Sequence, residues 1–269
     1  MLRKDGRACR RGRRRPRNRG NEPGDYSSRP LTGQTKNDPP AQRSRGNGAA
    51  GNRRRRRLAY HARVASTLDI APFRTACYVK SVHHLRDLPP DQGLEVAISG
   101  RSNAGKSTAL NAICQQNALA RVSKTPGRTQ QLVFFDIPPT TDRFLVDLPG
   151  YGYAKVPKDL QAHWQAFLDR YFAERQALKG LVVVMDIRHP LKEYDRQMLG
   201  YAVSRGLPAH AILTKADKLG RGAQGNAMLA IRKEMTAEYG DAVSVQLFSG
   251  ESKQGVDEAR QVIGGWLDL

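Results

Sequence analysis

The segment Gly100-Arg101-Ser102-Asn103-Ala104-Gly105-Lys106-Ser107 constrains the fold more than any other part of this chain. It fits G-x-x-x-x-G-K-[ST], and it stands between a short apolar run and a stretch of helical periodicity, the strand–loop–helix setting in which such a loop wraps phosphates. Glycines let the backbone turn its N–H groups inward, and the helix N-terminus adds a favourable dipole. Lys106 reaches the outer phosphates, and Ser107 offers a hydroxyl to magnesium. At ordinary residue frequencies a chance match in a chain this long occurs on the order of one time in a hundred, so an incidental glycine-rich turn is disfavoured. The loop alone does not choose the base, because ATPases, kinases and GTPases all use it.

From residue 94 onward, short apolar runs alternate with longer helical-period stretches. The runs predict strands over 94–99, 131–137, 143–147, 181–187, 209–214 and 243–248, and the stretches predict helices over 106–115, 158–177, 193–204, 225–239 and 253–266. Near-continuous apolarity suits strands covered on both faces. The alternation defines an α/β fold of the P-loop NTPase kind: a mainly parallel, doubly wound sheet of about six strands with helices on both faces. No internal repeat argues for a solenoid.

Three further motifs fall at predicted strand ends. Asp147-Leu148-Pro149-Gly150 can set a carboxylate in the magnesium shell and a glycine N–H at the γ-phosphate. Thr214-Lys215-Ala216-Asp217 and Phe248-Ser249-Gly250 close the last two strands, at the sheet edge where open α/β folds bind ligands. Asp217 presents two acceptor oxygens to guanine N1–H and N2–H₂, the Lys215 stem can cover the base, and a backbone N–H near Ser249 can meet O6. Adenine lacks that donor pattern, so the ordered motifs select GTP or GDP. Asp217 could instead serve as a helix N-cap for the segment after Lys218.

These motifs, with Thr125-Pro126-Gly127-Arg128-Thr129-Gln130 and Asp147-Leu148-Pro149-Gly150-Tyr151-Gly152-Tyr153-Ala154, resemble the EngB family of translation-factor-related GTPases over about the last 200 residues. With Tyr151, not a water-orienting glutamine, after Gly150, intrinsic hydrolysis is expected to be slow, and the protein is expected to be a monomer. The resemblance implies a ribosome-associated GTPase that assists maturation of the large ribosomal subunit and is needed for normal division and septum formation. It makes Gly127, Arg128, Thr129, Gln130 and Gln131 the first switch, with Thr129 joining Ser107 on Mg²⁺ and with Lys106, Thr129 and Gly150 acting in catalysis. Two positions depart from common patterns. Thr214 stands where most GTPases have asparagine, although this family resembles the chain in using threonine, and Gly250 replaces a small polar residue.

The rest of the chain reads differently. Residues 1–57 carry 19 Lys and Arg against 4 Asp and Glu, which leaves +5 of the chain's formal +20 for residues 58–269. With few large apolar residues, 1–57 reads as a disordered basic extension: an RNA grip, a solvated tail without a dedicated partner, or a start-site artefact. Residues 58–93 read as an edge segment and 94–269 as the GTP-binding domain. No apolar run reaches the length of a membrane span. Cys9, Cys77 and Cys114 form no paired framework or C-x-x-C, and the histidines lack zinc-ligand spacing, so a reducing cytoplasm fits. A different class remains open: an RNA-binding module gated by nucleotide, with Tyr151, Tyr153 and Lys155 meeting bases and phosphates and hydrolysis incidental.

Overall fold

The computed structural model describes residues 71–120, 131–139, 142–150 and 158–269. Among them seven strands form one sheet: β1 (Cys77–Val82), β2 (Leu94–Gly100), β3 (Leu132–Asp136), β4 (Arg143–Asp147), β5 (Leu178–Asp186), β6 (Ala209–Thr214) and β7 (Val243–Leu247), in the order β1-β3-β4-β2-β5-β6-β7. From β4 to β7 every pairing is parallel, and the β1–β3 and β3–β4 pairings are antiparallel. The doubly wound α/β expectation holds.

Period-two alternation assigns the two faces. Val96, Ile98, Val182 and Val184 pack with Leu110 and Ile113 of α2 (Lys106–Ile113), Ala259 and Ile263 of α6 (Val256–Leu267), and Phe73 of the short α1 (Ala71–Arg74). Ala97, Val183 and Met185 pack on the other face with Phe167, Leu168 and Tyr171 of α3 (Lys158–Glu174). Met198 and Leu199 of α4 (Glu193–Ser204) and Ile231 and Met235 of α5 (Arg221–Tyr239) complete that layer. Burial on both faces explains why these strands read as continuous apolar runs.

The differences from the sequence pattern have local causes. The seventh strand, β1, lies within 58–93, where a six-residue, mostly half-buried run with no alternation is too short and too polar to announce a strand, and its pairing with β3 defines it. β5 begins three residues before the predicted start because Lys179 and Gly180 mask the run. A Cβ on Gly180 would lie 2.3 Å from the Trp266 ring of α6, so glycine makes room for that indole. The third helix ends at Glu174 rather than 177, because Asp91 accepts the Gln176 and Ala177 N–H groups at 2.9 and 2.8 Å and turns the chain into β5. Cys114 is a buried free thiol. Among the described residues, no helix is long and apolar enough to cross a membrane.

Candidate nucleotide site

The predicted phosphate loop runs from the end of β2 to the start of α2. A Cβ on Gly100 would lie 2.8 Å from the Val184 carbonyl oxygen, so the last residue of β2 can lie against β5 only as glycine. Ala104 N–H donates to the Arg101 carbonyl at 3.0 Å, and Asn103 (φ 60°) and Gly105 (φ 93°) take left-handed conformations that curl the loop. Gly105 caps α2 without a side-chain hydrogen bond, so first-turn N–H groups face the loop's concavity together with the positive end of the helix dipole. Ser107 lies in that first turn. Arg260, buried in α6, steadies the opposite end of α2: its guanidinium donates to the carbonyls of Ile113 (2.8 Å) and Ala112 (3.1 Å), where the dipole favours a cation.

The other predicted residues converge on this loop. The Lys106 ammonium donates to the Asp147 carboxylate at the end of β4, and both side chains are nearly buried. Leu148 and Pro149 lead to Gly150, whose backbone approaches the phosphate loop: a Cβ there would stand 3.6 Å from the Gly100 carbonyl oxygen and 3.8 Å from Ser102 N. Thr214, at the end of β6, donates its hydroxyl toward the Ala104 carbonyl and toward the Met185 carbonyl at 2.9 Å. The threonine that replaces the common asparagine therefore ties the phosphate loop to β5. Lys215 (φ 59°) donates its ammonium to the Asn103 carbonyl at 2.6 Å.

On the base side, the buried Ser249 hydroxyl donates to Asp217 Oδ1 at 2.6 Å and accepts from the N–H groups of Glu251 (3.2 Å) and Ser252 (3.0 Å). Lys218 meets Asp217 Oδ2 at 2.9 Å. These two donors, Ser249 first, hold the Asp217 carboxyl below its ordinary range. α5 starts at Arg221 behind Gly220, so Asp217 does not cap it. Ala216 N–H donates to the Phe248 carbonyl at 3.2 Å, joining the two motifs. Ser249 N–H is engaged by the Gln254 carbonyl at 2.9 Å, which makes Gly250 the next amide available on that loop. A Cβ on Gly250 would lie 2.7 Å from Thr108 Cγ2, so glycine lets this loop lie flush on α2.

Gln131 stands immediately before β3, while Gly127, Arg128, Thr129 and Gln130 lie outside the described residues, as do Tyr151, Tyr153 and Lys155. The sequence reading names Arg101, Asn103 and Lys215 but misses Asp186, Arg188 and Asp195, which join them in lining a cavity of about 230 Å³ on the loop's outer flank. Asp195 is 1% exposed, and burial pushes its carboxyl up to about 6 while its Oδ2 accepts Lys192 N–H at 3.0 Å. The one legible signal there is an aspartate closing the apolar run of β5.

A phosphate loop at this strand-to-helix junction, with the remaining motifs along the same sheet edge, defines a P-loop GTPase. A protein-family profile described as "50S ribosome-binding GTPase" matches residues 95–215. Two proteins described as probable GTP-binding protein EngB, from Stenotrophomonas maltophilia strain K279a and Xanthomonas axonopodis pv. citri strain 306, are 72% and 71% identical over 194 residues. Each match covers 72% of this chain, with 96% and 90% of the respective relatives. The chain belongs to the EngB family of GTP-binding proteins. A crystal structure of a probable GTP-binding protein engB aligns with a TM-score of 0.51 over 65% of this chain and all of that one, and at 18% identity the likeness speaks for the fold.

Proposed function

We propose that this GTPase is a nucleotide switch that assists assembly of the large ribosomal subunit in the cytoplasm, and that normal cell division and septum formation depend on it. The convergence of Gly100–Ser107, Asp147–Gly150, Thr214–Asp217 and Phe248–Gly250 on one sheet edge carries the nucleotide part. Kinship with a profile described as ribosome-binding supports the partner. In this reading residues 94–269 form the GTP domain, 58–93 are its edge segment, 1–57 are a basic extension, and the protein works as a monomer.

Lys106 and the first-turn N–H groups of α2 bind the outer phosphates, and the loop amides of 101–105 wrap the rest. The hydroxyl of Ser107 and the carboxylate of Asp147 are the hard oxygen donors that Mg²⁺ takes. Ser107 and Thr129 would ligate it directly, with Asp147 in its outer shell. Held by these residues, Mg²⁺ would supply positive charge to offset that of the phosphates. Gly150 N–H, held beside the phosphate loop, reports the γ-phosphate to the segment that follows, and Gly127–Gln131 act as the first switch.

Many GTPases place a glutamine directly after D-x-x-G to orient the attacking water, and here Tyr151 follows Gly150 with no amide to offer. Single-turnover hydrolysis by the protein alone is therefore expected far below about one per second, rising when large ribosomal particles are added. A fast intrinsic rate that Tyr151→Ala leaves unchanged and particles do not alter would defeat this reading.

The basic extension favours direct RNA contact. Removing residues 1–57 is expected to weaken binding to ribosomal RNA and to flatten its dependence on salt, since fewer counterions are released, while GTP affinity stays the same. Equal salt slopes for full-length and truncated protein would show that this segment grips no RNA.

A further inference from the structure

Asp186 is the last residue of β5 and is 9% exposed. Its carboxylate collects donors from two directions. Arg188 donates Nε to Oδ1 at 2.9 Å, Nη2 to Oδ2 at 2.7 Å and its backbone N–H to Oδ1 at 3.0 Å. Lys215 donates its ammonium to Oδ2 at 2.9 Å while also reaching the Asn103 carbonyl at 2.6 Å. The lysine therefore has two anchors, one on β5 and one on the phosphate loop, and its four-carbon stem spans the space between β6 and that loop. Its backbone is left-handed, a conformation that is costly for a non-glycine residue and that aims this side chain at those anchors. The Arg188 fork fixes the carboxylate plane, so Oδ2 cannot swing away from the lysine.

We propose that Asp186 is a positioning residue for guanine recognition: it holds the Lys215 ammonium in place so that the stem lies ready against the base. This rests on the reading that Lys215 covers the guanine ring. A free lysine side chain carries substantial rotamer entropy, and a binding site that has already ordered the stem does not lose that freedom when nucleotide arrives. The Asn103 carbonyl alone is a neutral acceptor, whereas the Asp186 carboxylate adds the attraction of a full opposite charge to the same ammonium. Asp186 thus decides how much of the lysine's ordering precedes nucleotide binding. Arg188 acts one step further out, by orienting Asp186.

A competing role for Asp186 is to close the turn after β5 through Arg188 N–H, with no bearing on Lys215. A double-mutant cycle on the full chain separates the two. GDP affinity and dissociation rate are measured by displacement of a fluorescent GDP for wild type, Asp186→Ala, Lys215→Ala and the double variant, with thermal melting to establish folding. Lys215→Ala is expected to weaken GDP about 30-fold and Asp186→Ala about 10-fold, with the double variant no weaker than Lys215→Ala alone. Asp186→Asn keeps an acceptor for Arg188 N–H and loses the charge. It is expected to weaken GDP by a few-fold, again with no further loss beside Lys215→Ala, and it carries the cycle if Asp186→Ala does not fold. Losses that multiply in the double variant, or Asp186 variants that bind GDP like wild type, overturn the proposal and assign Asp186 to the turn. A Lys215→Ala variant with unchanged GDP affinity instead overturns the base-covering reading beneath it.

Discussion

Asp217→Asn is expected to lower GTP affinity at least about tenfold and to turn the preference toward xanthosine triphosphate. The carboxylate can only accept hydrogen bonds, and both of its partners here only donate to it. Lys218 has no lone pair, and the Ser249 hydroxyl already accepts from Glu251 and Ser252 N–H, so its own hydrogen goes to Asp217. An asparagine amide in this setting sets its NH₂ against a donor whichever way it turns: against Ser249 or Lys218, or against the guanine amine. A buried donor–donor conflict of this kind, added to the lost charge assistance, costs roughly 2–4 kcal/mol. Xanthine carries a carbonyl where guanine carries the amine, so the new amide regains a partner there, while Lys106 and Ser107 still meet the phosphates. Competition binding with GTP, ATP and xanthosine triphosphate on a variant shown to be folded checks this. An unaltered preference for GTP would remove Asp217 from base recognition.

Arg175→Ala should give the largest loss of stability, about 3–5 kcal/mol, because it strands a charge inside the protein. Glu95, at the start of β2, is wholly buried and receives hydrogen bonds from Arg175 Nε and Nη2 and from the Tyr171 hydroxyl at 3.1 Å. The same guanidinium donates to the carbonyls of Pro89 (2.8 Å) and Pro90 (3.2 Å), so it also fastens the segment entering β2 to the end of α3. Its removal leaves the carboxylate with the Tyr171 hydroxyl alone and frees two carbonyls. Denaturant unfolding of wild type and variant measures the cost. The double replacement Glu95→Gln with Arg175→Met should recover a good part of it, since no buried charge remains. This network sits at the opposite end of β2 from the phosphate loop, roughly 20 Å away at the rise of an extended strand, so GDP affinity of the folded variant should match wild type. A loss below about 1 kcal/mol would mean that the region relaxes and hydrates Glu95.

What could be read from the sequence was whatever depends on neighbours along the chain. The phosphate loop needs glycines, a lysine and a hydroxyl at fixed short spacing between a strand and a helix. The β2, β4, β5 and β6 runs are apolar because helices cover both of their faces. Asp147, Thr214, Asp217 and Ser249 stood out because they end such runs, and in a parallel sheet those ends share one edge. The assignment of Gly127–Gln130 to a switch came from the family's motif, and those residues lie outside the described structure.

Tertiary contact decided the rest. β1 is a strand because β3 pairs with it. Gly180 is glycine because Trp266, more than eighty positions away, occupies the space of its side chain, and Gly250 is glycine because Thr108 of α2 does the same. Thr214 looks like a weakened asparagine in the sequence, and in the fold its hydroxyl joins the phosphate loop to β5. Asp186 and Lys215 are 29 positions apart, and parallel pairing of β5 with β6 brings their backbones side by side. No periodicity encodes such a meeting, because the strand register that creates it is set by the packing of every helix against the sheet.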